Sequence, residues 1–284
     1  MARLSENSYG KSDVRLTKVV RARGIHSLSE LTVGIMLGGA FAPVYTEGDN
    51  SPCIPTDTMK NTVYALAKTH EFGSPESFAK ILAAHFLDGF SQVEWAEVRI
   101  EQAPWERITV DGSPHPHSFT RGGSGSRTCV VRARRSGALD VTGGLVALDV
   151  IKTTGSGFAG FLKDRYTTLA ETADRIFSTR VDASWVYVDG AADDAFSENA
   201  HARARQVLLE TFATHDSRSV QQTMYAMGEA LLAALPRISS VSLTMPNKHR
   251  LLVNLEQFGL SNANEIFVAT SEPFGLIKAT VTRD

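Results

Sequence analysis

Hydrophobic and polar positions change period several times along the chain, and the changes mark its elements. Val14-Arg15-Leu16-Thr17-Lys18-Val19 alternates as a half-buried strand does, and a polar turn follows at Arg23-Gly24. Leu31, Val33, Ile35 and Leu37 alternate strictly, which predicts a second strand antiparallel to the first. Pro52 to Pro55 breaks the chain. Thr56-Asp57-Thr58 then offers N-cap residues to a helix whose apolar face is Met59, Val63, Leu66 and Ala67. Ser74-Pro75-Glu76 opens another helix, with Phe78, Ile81, Leu82 and Phe86 as its stripe. Strands are predicted from Val93 to Ile100, Trp105 to Val110 and Thr128 to Arg134. Between the last two, His115-Pro116-His117 and the glycine- and serine-rich Gly122 to Ser126 read as exposed loop. The first half is therefore β-β-α-α-β-β.

The second half repeats that order. Strands are predicted at Leu139 to Val141, Leu145 to Lys152 and Ser184 to Val188, with a loop at Gly155-Ser156-Gly157-Phe158. Thr168-Leu169-Ala170-Glu171 has the form of a capping box and predicts a helix through Ile176. A long helix is predicted from Ser197 to Ala213. Ser219 caps another, with Met224, Met227, Leu231 and Leu235 on one face and Pro236 after its end. Val241 to Thr244, Leu251 to Leu255 and Ile277 to Val281 read as strands. The boundary falls near Gly137, giving domains 1–137 and 138–284, each an α+β unit of antiparallel sheet with helices on one face.

Composition narrows the function. The chain has 284 residues and a formal net charge of -2, which gives no electrostatic case for nucleic acid or a membrane surface. No apolar run approaches the roughly 20 residues that span a bilayer. Met1 to Ser12 has no apolar signal region, and Thr282-Arg283-Asp284 is no peroxisomal address. Cys53 and Cys129 stand far apart without metal-ligand spacing, which fits a reducing, cytoplasmic interior.

Candidate chemistry begins at Leu243-Thr244-Met245-Pro246-Asn247-Lys248-His249, read as strand, polar break, strand. Alternation sends Asn247 and His249 to one side and Lys248 to the other. An imidazole that moves protons near neutrality thus shares a volume with an amide that donates and accepts. Taken singly, the other polar positions have structural readings: Lys11 as a solvated lysine, Thr56-Asp57 as a helix cap, Arg175 as a surface residue, Gln221 as a cap. Phe158 differs, because a large ring flanked by Gly157 and Gly160 gains little unless it covers something.

Together the segments resemble urate oxidase. The matching stretches include Tyr9-Gly10-Lys11, Thr56-Asp57-Thr58-Met59-Lys60-Asn61-Thr62-Val63-Tyr64, Lys152-Thr153-Thr154-Gly155-Ser156-Gly157-Phe158 and Tyr166-Thr167-Thr168-Leu169. They continue through Asp174-Arg175-Ile176, Val220-Gln221-Gln222-Thr223-Met224-Tyr225, Pro246-Asn247-Lys248-His249 and Asn264-Glu265-Ile266-Phe267. The resemblance implies a tandem pair of tunnelling-fold domains in a barrel-like homotetramer. It implies oxidation of urate by O2 and water to 5-hydroxyisourate and hydrogen peroxide, with no cofactor and no metal.

It also implies roles. Arg175 would grip urate as a planar fork and Gln221 would complete the pincer. Phe158 would stack on the purine, and the backbone N–H groups of Val220 and Asp57 would hold further ring atoms. Lys11, Thr56 and His249 would be the catalytic proton relay. Asn247 and Thr56 would flank the oxygen and water site. The sequence departs from the family pattern at Pro55 and Ala159, and it stops short of the family's longer C-terminal tail. Two other classes need different residues. A zinc-dependent tunnelling-fold enzyme needs a metal set, for which only His115 and His117 stand close. A purine binder has no need of Lys11, Thr56 and His249.

Overall fold

A computed structural model describes residues 2–190, 193–270 and 272–283; Met1 and Asp284, the ends of the two stretches read for targeting, lie outside them. The chain forms two compact units, Met1–Gly144 with Val186–His201, and Leu145–Trp185 with Ala202–Asp284.

In the first unit β1 (Tyr9–Ala22) and β2 (Ile25–Gly39) form a long antiparallel hairpin. Arg23 and Gly24, both at positive φ, make the two-residue turn whose twist suits a hairpin. The alternating Leu31, Val33, Ile35 and Leu37 are at most 1% exposed. They share the core with Met59 and Val63 of α2 (Thr56–Thr69) and with Phe78, Leu82 and Phe86 of α3 (Pro75–Gly89). A short α1 (Ala42–Thr46), which no sequence signal marks, precedes α2. The sheet runs β1-β2-β3-β6-β7, with β3 (Val93–Gln102), β6 (Ser126–Arg134) and the start of β7 (Leu139–Lys152). Between β3 and β6, β4 (Trp105–Val110) and β5 (Ser113–Arg121) pair only with each other.

The β5 strand corrects the loop expected at His115-Pro116-His117. Asp111 and Gly112, both at positive φ, turn the chain tightly enough to pair Val110 with Ser113. Pro114 and Pro116 are tolerated because a two-stranded ribbon has a free edge on each strand.

The second unit repeats the plan, in the order β7-β8-β9-β12. Its strands are the rest of β7, β8 (Phe177–Tyr187), β9 (Ile238–Asn247) and β12 (Gly275–Thr282). Helix α4 (Asp194–Thr214) enters it from the first unit. Helix α5 (Val220–Ala234) buries Met224, Met227 and Leu231. Trp185, Phe177 and Phe212 complete that core. Between β9 and β12, β10 (Arg250–Leu252) and β11 (Phe267–Ala269) again pair with each other, as β4 and β5 do. Each half is thus β-β-α-α-β-β with a two-stranded insert before its last strand.

Three expectations fail here, the first being the strand expected from Leu251 to Leu255, which stops at Leu252 ahead of a turn at Glu256–Phe258. Leu139 to Val141 and Leu145 to Lys152 are one strand, β7, continuous through Gly143-Gly144. Ala147 takes up the irregularity, at φ 62 with its N–H on Asp182 at 2.7 Å. The helix expected from Thr168 through Ile176 does not form, and residues 160–176 are irregular. A helix there would have no face to bury: Leu162, Tyr166 and Leu169 are 98%, 72% and 56% exposed. Asp164 instead accepts the Tyr166 N–H and the Thr167 hydroxyl, a local turn that competes with a helix start.

One buried pair ties the first unit's helices to its sheet. The Arg127 guanidinium of β6 reaches Glu76 at the start of α3 at 2.7 Å, with both side chains at most 5% exposed, and Glu198 of α4 joins them. Burial pushes the Glu76 carboxyl up, and Arg127 opposes that shift. Removing one partner leaves an uncompensated buried charge, so Arg127→Met is expected to destabilise by about 3–5 kcal/mol. Adding Glu76→Met should restore most of that loss. Urea titration of both proteins checks it.

Candidate active site

The second unit's candidate residues converge through backbone hydrogen bonds. After β7 the chain turns at Gly155 and forms a parallel bridge, Ser156 to Ser217. Gly157 N–H donates to Ser217 O at 2.8 Å, and Ser217 N–H donates to Gly155 O at 2.9 Å. Phe158 exchanges both backbone hydrogen bonds with Thr172, at 2.8 and 3.0 Å, and Arg175 N–H donates to Ser156 O at 2.7 Å. Gly157 admits this closeness, since a Cβ there would lie 2.8 Å from Ala173 O. The Asp174 carboxylate clamps the turn by accepting the Thr154 hydroxyl at 2.7 Å and the Ser156 N–H at 3.3 Å. Those bonds hold its pKa below the ordinary carboxylate value.

The result is a ring and a cation side by side. The Arg175 guanidinium carbon lies 5.3 Å from the centroid of the Phe158 ring, which stacks on Phe161 at 4.9 Å. Burial pushes the Arg175 pKa down, but a guanidinium keeps its charge at neutral pH. Three residues past Ser217 begins α5. Ser219 caps it by accepting the Gln222 N–H at 3.1 Å. The buried Ser217 and Thr223 hydroxyls, 2.7 Å apart, tie the cap to the bridge. Val220 and Gln221 occupy the first two helical positions, where N–H groups have no intrahelical acceptor and the helix dipole favours an anion.

Asn247 and His249 belong to the same unit. Strand β9 ends at Asn247, opposite Gly275 of β12, and strand structure resumes at Arg250. Two contacts from β8 hold this tract: the Thr179 hydroxyl donates to Pro246 O at 2.8 Å, and Lys248 N–H donates to Ser178 O at 2.9 Å. Arg175 lies three residues before Ser178 in the chain. Lys248 itself pairs with Asp149 at 2.6 Å.

Lys11, Thr56 and Asp57 form the first unit's group. Lys11 precedes a bulge in β1, where the register slips between Lys11 and Val14 and Asp13 sits at φ 57. The three N-cap candidates, Thr56 to Thr58, lie inside α2 instead; the cap is Pro55, which has no side-chain acceptor. Thr56 and Asp57 are therefore first-turn residues with orphan N–H groups. The exposed Asp57 carboxyl is held below its ordinary pKa by Lys60 first, with Asn61 and the charge of Lys11 contributing. The candidate residues thus fall into two groups, one in each unit. Sequence reasoning gave no role to Thr154, Asp174, Ser217 or Thr223, which hold the second group in place. Among the described residues no group of three or more His, Cys, Asp or Glu could hold a metal ion. His115 and His117 have ring centroids 4.5 Å apart.

Two α+β units of this repeated order, one carrying an arginine over a phenylalanine ring beside a helix start, define a tandem tunnelling-fold protein. The family described as Uricase matches residues 7–132 and 141–278. The uricase of Cyberlindnera jadinii is 42% identical over 99% of this chain and 97% of its own. That of Aspergillus flavus is 40% identical over 100% and 98%. The crystal structure of uricase from Arthrobacter globiformis superposes with a TM-score of 0.94, at 41% identity, covering 100% of this chain and 96% of that one. The chain belongs to the uricase family, and its activity is the oxidation of urate.

Because the Phe158–Arg175 pair hangs on Asp174, Asp174→Ala is expected to raise KM for urate about tenfold, the equivalent of about 1.4 kcal/mol, with kcat changed less than about threefold. Steady-state kinetics in urate measure both.

Proposed function

We propose that the urate ring is gripped by Arg175 and Gln221, stacked on Phe158 and hydrogen-bonded by the N–H groups of Val220 and Asp57. The observation that carries this reading is the Phe158–Arg175 pair fastened to the start of α5. A planar cation, an aromatic face and orphan N–H donors together suit a flat purine anion. In the same reading Lys11, Thr56 and His249 form the proton relay, and Asn247 and Thr56 flank the position taken first by O2 and then by water.

The chemistry runs without a carrier of electrons. Triplet oxygen accepts electrons one at a time, and a urate dianion is rich enough to supply them. Lys11, acting through Thr56, removes the proton that makes the dianion, and His249 keeps the relay in order. One electron passes to O2, and the urate radical and superoxide recombine as a hydroperoxide. Loss of hydrogen peroxide then leaves an oxidised ring, and water directed by Asn247 and Thr56 adds to give 5-hydroxyisourate. Urate, O2 and water become 5-hydroxyisourate and H2O2, so atoms and electrons balance.

Each complete site, in this proposal, joins Lys11, Thr56 and Asp57 of one subunit to the second-unit residues of another, in a homotetramer. Strands β1 and β12 each end a sheet order. Both are bordered by exposed apolar side chains, Val19 and Val20 on β1 and Leu276 on β12. Such edges invite pairing with another subunit. The two thiols, Cys53 and Cys129, are free, which fits a cytoplasmic protein.

The division of labour is testable by mutation. Lys11→Met should leave urate binding within about threefold and slow its oxidation about a hundredfold, as loss of a general base does. Arg175→Ala should instead weaken binding. The opposite pattern, measured by urate binding and loss of its ultraviolet absorption, would overturn the assignment. Co-refolding the two mutants tests the shared site. Random mixing should restore about a quarter of the sites, because each needs one intact half from each of two chains. No gain in mixed oligomers verified by mass spectrometry would mean each chain builds its own site.

A further inference from the structure

The relay proposed above needs two separate backbone segments held at a fixed offset: β1, which carries Lys11, and the loop into α2, which delivers Thr56. One side chain joins them. The Tyr9 hydroxyl accepts the Ile54 N–H at 2.7 Å. Tyr9 lies two residues before Lys11, and Ile54 two residues before Thr56.

Strand geometry gives that spacing its meaning. The pairing of Tyr9, Gly10 and Lys11 with Leu37, Met36 and Ile35 is regular, and the bulge comes only after Lys11. Tyr9 and Lys11 therefore leave β1 on the same side. The Tyr9 ring is fixed edge-on against the fully buried Phe41, with centroids 5.0 Å apart. Gly10 lets the strand lie close to its neighbour, since a Cβ there would sit 1.8 Å from Ile35 O. The ring thus has little freedom, and its hydroxyl sets where Ile54 can be. Ile54 is itself 2% exposed, so the loop is anchored at that point before it opens α2.

The hydroxyl also keeps its proton. Burial pushes the Tyr9 pKa up to about 12, and the Cys53 thiol beside it adds to the rise. The group acts as a neutral hydroxyl in the range where the relay would work, and the second tyrosine nearby, Tyr45, turns its own hydroxyl to Ser8 O.

We propose that Tyr9 is a positioning residue for urate oxidation, holding Lys11 in register with Thr56 through the Ile54 N–H. The role rests on the proposed relay and adds to it a residue that touches neither urate nor oxygen.

Tyr9→Phe is the test, because it keeps the ring against Phe41 and removes only the hydroxyl. Misplacing a catalytic group by a fraction of an ångström costs turnover before binding, so kcat should fall about tenfold while KM for urate stays within about twofold. The midpoint of thermal unfolding should drop by no more than about 6 °C, since stranding the Ile54 N–H costs about 1–3 kcal/mol and each kcal/mol is worth about 2 °C in a protein of this size. An unchanged kcat, or a loss carried by KM or by the folded fraction, would overturn the proposal. Lys11→Met, assayed alongside, separates this role from the relay. An inactive Lys11→Met beside a fully active Tyr9→Phe would remove the positioning role alone. A fully active Lys11→Met would remove the relay and the positioning role together.

Discussion

The backbone bridge between Ser156 and Ser217 is the contact on which the arrangement of Phe158, Arg175 and the start of α5 depends. It joins the turn after β7 to the residues that open α5, segments far apart in sequence. Backbone hydrogen bonds suit this task, because they do not rely on long side chains choosing one rotamer. Around the bridge the side-chain contacts are short and polar: Asp174 on Thr154 and Ser156, and Thr223 on Ser217. Ser217 and Thr223 are 1% and 0% exposed, and each has a partner. Losing either would strand a buried hydroxyl, and that penalty exceeds the modest net value of the bond itself. Phe158 and Arg175 can therefore stand partly open to ligand while the backbone beneath them stays fixed.

The repeated β-β-α-α-β-β order gives both units the same local device. In each, one helix begins with candidate site residues at its first two positions: Thr56 and Asp57 in α2, Val220 and Gln221 in α5. The units reach this by different chain chemistry. The α2 start is fastened to β1 through Tyr9 on Ile54, and its far end through Lys18 on His70 O at 2.7 Å. The α5 start is fastened to the irregular loop through Ser217. A duplicated architecture thus carries two unlike groups, one holding a lysine and a threonine, the other an arginine, an amide and an aromatic ring.

Where local signals agreed with tertiary burial, the chain could be read directly. The alternation of Leu31 to Leu37, the Ser74-Pro75 start of α3 and the Ser219 cap of α5 all describe segments with an apolar face that is buried. The Thr168–Glu171 capping box shows the converse. Its polar pattern is right, but Leu169 finds no core, and the tract gives its hydrogen bonds to Phe158 and Asp164 instead. The β5 strand was hidden because prolines at positions 114 and 116 argue against a strand unless its edge is free. At the site, strand period predicts one side for Asn247 and His249, but β9 ends at Asn247 and the alternation does not carry through to His249. The clamp of Asp174 on Thr154 and Ser156 was not legible, since it forms only when the chain has folded back on itself. Local pattern alone makes Arg175 a surface residue, and only the longer motif Asp174-Arg175-Ile176 within its neighbours assigns it a role.

Pro55 shows how a helix start without a capping side chain can be absorbed. Proline lacks an N–H, but the residue before a helix has no ladder bond to lose, and its φ of -57 with ψ of 137 is ordinary for proline. What proline withholds is a side-chain acceptor. In α5, Ser219 takes up the Gln222 N–H, leaving those of Val220 and Gln221 as the outward donors. In α2, nothing at position 55 competes for the N–H groups of Thr56, Asp57 or Thr58. A capping serine or aspartate would have satisfied one of them and placed an oxygen over the helix start. An aspartate would have added a negative charge where an anionic ring is proposed to lie. Pro55 therefore costs α2 the stabilisation of a cap, about 1 kcal/mol, and leaves its donors free for a ligand. Burial of Met59 and Val63 against the sheet holds the helix in place without that cap.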